Sequence, residues 1–141
     1  MRVVLDTSVL VAAVRSAKGA SNALLRAALN HQVQILISTA LTLEYEAVLL
    51  RPEHLHAGAN SPEGMMNLLN ALCEKGEKVR IFWQWRPQLL DSNDEMVLET
   101  AINGRANAIC TFNEADFRNA AQRFGLRILS PGQVLMEMRK L

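Results

Sequence analysis

A chain of 141 residues and 15.7 kDa fits one domain with a sizeable core, and at 50% hydrophobic and 21% charged residues it is neither disordered nor fibrous. A formal net charge of +1 excludes a protein that grips nucleic acid through a uniformly basic surface, so any such contact needs a local patch or a metal ion that masks acids. Cys73 and Cys110 form no CxxC or Cys/His cluster, which excludes a zinc ribbon or a disulfide framework and predicts two reduced, buried thiols.

In chain order, residues 3–5 predict a buried strand and 7–15 the helix that follows it. Lys18-Gly19-Ala20-Ser21 breaks that helix, and Ser21 is the expected cap of the next, which runs to Asn30. A second strand is predicted over 33–37, then a helix capped by Ser38 or Thr39 and ending near Leu50. Residues 51–62 read as a loop. Ser61-Pro62-Glu63 is a helix start, and Gly76 marks that helix's end. A third strand over 79–82 is followed by loop signals at Arg86-Pro87 and Asp91-Ser92-Asn93, then a helix over 94–103. The fourth strand (108–111), a helix (114–124), the fifth strand (127–129) and a closing helix (133–139) complete the series.

Strands that are apolar throughout, alternating with helices, mean a parallel sheet covered on both faces. No repeat or linker divides the chain, so one α/β domain over 1–141 is expected. No apolar run approaches the ~18 residues of a membrane span. Asp6 also interrupts the first apolar run too early for a signal-peptide core. A cytoplasmic protein without membrane contact is the expectation.

The functional signal lies in acids at core-facing positions. Leu41, Tyr45, Val48 and Leu49 define the apolar stripe of the second-strand helix, and Glu44 falls on it, where an unpaired acid costs several kcal/mol. Asp94 precedes Val97 and Leu98 by three and four residues and so starts the stripe of its own helix. Asp6 directly follows the first strand, and Asn113 and Asp116 follow the fourth. In open α/β sheets ligands bind beyond the carboxyl ends of strands, where the strand order reverses. If the first and fourth strands are neighbours, all these residues meet at one edge.

Two unit charges ~4 Å apart repel by about 4 kcal/mol at an effective dielectric near 20, so four carboxylates in one cleft require raised pKa values or a cation. Oxygen donors without His or Cys suit Mg²⁺, with Mn²⁺ as substitute, and such a site acts on phosphodiesters. Singly, each acid has an ordinary reading: Asp6 as a helix cap, Asp94 and Asp116 as charges that favour a helix dipole.

With these residues assembled, the chain resembles the PIN-domain family, which includes the nuclease toxins of toxin–antitoxin pairs. The opening Val3-Val4-Leu5-Asp6-Thr7-Ser8-Val9-Leu10 carries the family's first acid, and Glu44 matches its second. Asp94-Glu95-Met96-Val97-Leu98-Glu99-Thr100-Ala101 matches the third block, and Thr111 through Phe117 reads as the last, Thr-x-Asn-x-x-Asp-Phe. A subgroup with an Arg-Pro segment before the third acid fits best, here Trp85-Arg86-Pro87-Gln88-Leu89-Leu90-Asp91. That subgroup commonly reads Asp-Pro-x-Asp where this chain has Asp91-Ser92-Asn93-Asp94.

The resemblance implies a three-layer α/β/α domain with a five-stranded parallel sheet and Mg²⁺-dependent endoribonuclease activity leaving a 5′-phosphate and a 3′-hydroxyl. It also implies a homodimer and a cognate antitoxin partner. Asp6, Glu44, Asp94 and Asp116 would serve as catalytic and metal-holding residues, supported by Thr7, Ser8 and Asn113. Thr7 and Ser8 are equally natural as helix caps, and Asn113 as a turn residue. A housekeeping RNA-processing nuclease and a catalytically silent PIN-fold binding module are the alternatives.

Weaker features are read more plainly. His54 and His56 are expected on the surface of the 51–62 loop. Phe82-Trp83-Gln84-Trp85 fits base stacking or a covered sheet edge. Arg105, Arg118 and Arg123 fit a phosphate-contacting rim or a solvated helix face. The Ala/Leu-rich segment 23–29 fits a core stripe, or a contact with a second copy or an antitoxin helix. A haloacid-dehalogenase-type phosphatase would need a second Asp where Ser8 stands, and a Rossmann-type phosphate site would need glycines where Asp6-Thr7-Ser8 stand.

Overall fold

Val3, Val4 and Leu5 are all buried. Successive strand side chains point to opposite faces, so β1 (Arg2–Leu5) has to be covered on both sides. The same holds for Ile35, Leu36 and Ile37 in β2 (Gln34–Ile37) and for Ala108, Ile109 and Cys110 in β4 (Ala108–Cys110). The outcome is a three-layer α/β/α domain, as the resemblance implies. A computed structural model describes residues 1–58, 60–84, 88–89 and 91–140.

The sheet has five strands, all parallel, in the order β3-β2-β1-β4-β5, with β3 at Glu77–Lys78 and β5 at Arg127–Leu129. Val3 pairs with both Ile35 and Ala108, which makes β1 the central strand. From β1 the chain goes on to β2 on one side, and from β4 to β5 on the other. The order therefore reverses between β1 and β4, and a crevice opens beyond their carboxyl ends.

The helices are α1 (Thr7–Arg15), α2 (Ala20–Leu29), α3 (Thr39–Leu49), α4 (Pro52–Ala57), α5 (Pro62–Lys75), α6 (Ser92–Asn103), α7 (Glu114–Phe124) and α8 (Pro131–Arg139). Ser38 caps α3 and Ser61 caps α5 through their hydroxyls, and Ser130 with Gln133 forms a capping box on α8. Helix α6 packs on β1, β4 and β2. At its end Gly104 lies so close to Val79 and Leu36 that a Cβ would approach their side chains to 2.7 and 2.8 Å. Arg105 follows in the left-handed region, and the Ala106 amide bonds back to the Ala101 carbonyl, closing the helix.

Several expectations fail. Ser21 does not cap α2: Gly19 holds that position, and Ser21 is buried two residues on, in the first turn, with its hydroxyl unpartnered. Residues 52–57 form a helix, with Pro52 at its first position, where a loop is expected. The third strand lies at Glu77–Lys78, two residues before the apolar run that suggests it. Val79 is still tied to the sheet by an amide bond to the Ile37 carbonyl, whereas the amides of Phe82 and Trp83 both donate to the Asn103 side chain. Cys73 is exposed, and only Cys110 is the buried thiol expected. Arg86 and Pro87 lie outside the described residues.

Candidate active site

Asp6 is carried to the crevice by β1 and fixed there by three contacts. Its amide donates to the Cys110 carbonyl of the neighbouring strand at 2.9 Å. The Ser8 and Thr111 hydroxyls each donate to its Oδ2 at 2.7 Å. Asp6 occupies the N-cap position of α1 yet makes no side-chain cap bond, so its carboxylate is committed to the crevice instead of the helix. Just before it, the Tyr45 hydroxyl donates to the Leu5 carbonyl, which ties α3 to the end of β1.

Glu44 and Asp94 reach the same crevice from two helices. A cavity of about 400 Å³ is lined by Asp6, Glu44 and Asp94, together with Thr7, Ser8 and Asn113. The buried pair Ser38 and Thr100, hydroxyl to hydroxyl at 2.8 Å, holds α3 against α6. Asp94 sits in the first turn of α6, whose cap is Asp91, bonded through its side chain to the Asn93 amide at 2.9 Å. Glu95, buried beside it, accepts the amides of Gln88 and Leu89 at 2.6 and 2.8 Å and pins the approach to the helix.

Asp116 departs from the single cleft expected for four acids. It is exposed in the first turn of α7 and lines an adjoining cavity of about 380 Å³ with Gln88, Leu89, Ala115 and Asn119. Asp91 and Asp94 line both cavities and join them. Asn113 bonds through its amide to the Thr111 hydroxyl, and its side chain does not cap α7.

The field in this region is negative. Burial, with Asp6, Asp91, Asp116 and Glu95 around it, pushes the Asp94 carboxyl up from 3.8 to about 7. Burial and then Asp6 push the Cys110 thiol up to about 12, and the same two causes raise the Tyr45 phenol. The acids around Asp94, though not its burial, favour a cation at this point. Among the described residues, no three His, Cys, Asp or Glu side chains form a ready metal cage.

The weaker readings resolve unevenly. His54 is on α4 and buried, lining the acid cavity, whereas His56 is exposed. Arg51 lines that cavity as well. The signal missed was Pro52, which starts a helix as readily as it ends one. Arg105 follows the far end of α6, some 16 Å from Asp94 at ~1.5 Å per residue, so it is no rim to the acids. Arg123 bonds the Gln88 side chain beside the second cavity, and Arg118 is an exposed residue of α7. Phe82 and Trp83 are exposed but stand at the Asn103 end of α6, away from Asp94, and Trp85 lies outside the described residues. Among the described residues no helix is long and apolar enough to cross a membrane.

Comparison with curated proteins finds no significant match. Among solved structures, the fold is similar to a chain in the crystal structure of VapBC2 from Rickettsia felis bound to a DNA fragment from their promoter. The two share a TM-score of 0.57 and 17% identity over 92% of this chain and 98% of that one. The family model described as "PIN domain" matches residues 2–115, which takes in β1, α3, α6 and β4, with Asp6, Glu44 and Asp94. The chain belongs to the PIN-domain family.

Proposed function

We propose that the protein is a divalent-metal-dependent endoribonuclease, the toxin of a toxin–antitoxin pair, with Asp6, Glu44, Asp94 and Asp116 as its working acids. The observation that carries this reading is the meeting of Asp6, Glu44 and Asp94 in one cavity at the carboxyl edge of a parallel sheet. Family membership and the likeness to a chain of VapBC2 support the nuclease and the antitoxin partner. A homodimer and a cytoplasmic setting belong to the same reading.

Mg²⁺, or Mn²⁺ in its place, would supply a Lewis acid for the phosphodiester and a water of lowered pKa. The protein's part is to hold that ion and the strand in register. Asp6 offers an oxygen beyond the Oδ2 already bonded to Ser8 and Thr111, so its orientation is set before any ligand arrives. Asp94 offers a carboxylate whose surrounding acids favour a positive neighbour, and Glu44 lines the same cavity from α3. Asp116 would contribute its negative charge from the adjoining cavity, with Thr7 and Asn113 at the wall of the first.

The test is cleavage of a fluorescent single-stranded RNA by the purified protein. Cleavage is expected with Mg²⁺ and abolished by EDTA, by Asp6→Asn and by Asp94→Asn. Undiminished cleavage in EDTA would refute the metal-dependent mechanism.

A further inference from the structure

We propose that Arg51, at the start of α4, grips a phosphate of the RNA strand at the acid cavity. The inference rests on the nuclease reading above and adds to it a specific substrate contact.

An RNA strand brings a negative charge with every nucleotide, and the cavity wall already holds Asp6, Glu44 and Asp94. An ion held by those acids would offset the charge of one phosphate, and its neighbours along the strand would still favour positive charge from the protein. Among the described residues that line this cavity, Arg51 is the one lysine or arginine. Its side chain makes no hydrogen bond and no ion pair among the described residues, although acids line the same space. It is exposed at the cavity mouth. A guanidinium offers five donors in a fork that matches phosphate oxygens.

The backbone beneath Arg51 is firmly seated. Its amide donates to the Val48 carbonyl, and its own carbonyl accepts from His54 and Leu55. At the other end of α4, Gly58 lies so close to α1 that a Cβ would meet the Val14 carbonyl oxygen at 2.3 Å. Helix α4 is therefore locked to α1, the helix that follows Asp6, so Arg51 is fixed relative to the acids while its guanidinium stays uncommitted.

His54 gives a second, independent sign. It is 8% exposed, lines the same cavity, and its buried Nδ1 has no hydrogen-bond partner. A buried polar atom without a protein partner is a cost that a ligand or water in the cavity would relieve, and it lies on the same wall as Arg51.

The experiment measures binding of a fluorescein-labelled single-stranded RNA by anisotropy with Mg²⁺ present, in an Asp6→Asn background that keeps the RNA intact. Adding Arg51→Ala or Arg51→Gln is expected to weaken binding about tenfold to a hundredfold, as for loss of a charge-assisted bond. It should also lower the slope of log K against log salt by about 0.7, the share of one phosphate contact on a single strand. Arg51→Lys should recover part of the affinity, and Arg105→Ala, at the far end of α6, should change neither quantity. Thermal melting confirms that each variant is folded. Unchanged affinity and salt slope in both folded Arg51→Ala and Arg51→Gln would overturn the inference alone. An Asp6→Asn protein that binds no RNA, with a wild type that cleaves none, would overturn the nuclease reading and this inference with it.

Discussion

Replacing Asp94 by asparagine converts the electrostatics of the cavity into a stability measurement. In the folded protein the Asp94 carboxyl is pushed up from 3.8 to about 7, first by burial and then by Asp6, Asp91, Asp116 and Glu95. Below the unfolded value both states carry the proton and the group contributes nothing. Between about 4 and 7 the unfolded chain releases its proton while the folded one keeps it, so the wild type loses stability as pH rises through that window. The separation is worth about 4 kcal/mol at face value, and solvent screening of this partly exposed group reduces it to ~1–2 kcal/mol. Asp94→Asn removes the penalty without touching the helix cap, which belongs to Asp91. Urea unfolding in EDTA should therefore show the variant gaining on the wild type by that amount between pH 4 and pH 8. With Mg²⁺ at a hundredfold excess over its Kd, the wild type should gain about 2.7 kcal/mol and the variant far less. A stability difference that stays constant from pH 4 to pH 8 would refute the reasoning.

Two further outcomes concern the frame. Gly104→Ala places a methyl against Val79 and Leu36 and should cost about 1–3 kcal/mol; a melting temperature equal to wild type would contradict the close packing. Tyr45→Phe removes the donor to the Leu5 carbonyl beneath Asp6 and should cost about 1–2 kcal/mol in chemical denaturation, with unaltered stability as the contrary result.

The acids are legible in the sequence through their joint placement more than singly. Glu44 alone breaks a local rule by lying on an apolar stripe, whereas Asp6, Asp94 and Asp116 each have an ordinary place at a strand end or helix start. What brings them together, the pairing of β1 with β4, is a long-range choice that no local window encodes. Asp116 shared the sequence signal but stands in an adjoining cavity, since the spacing after a strand sets the helix turn and not the direction of the side chain. Helix α4 was missed because six residues are too few to show a period, and Arg51 offers no capping side chain to announce it. Residues 79–82 misled for another reason. Apolar character reports burial, whereas β3 is an edge strand whose place is set by backbone pairing of the exposed Glu77 and Lys78 with Leu36 and Ile37.

The outer strands also govern how the domain meets other chains. β3 is two residues long and charged, and β5 is three, with Arg127 gripping Glu137 of α8 by two bonds at its start. Neither border offers a long, flat row of free amides and carbonyls on which an intruding strand could crystallise. The sheet is thereby protected from growing by accretion.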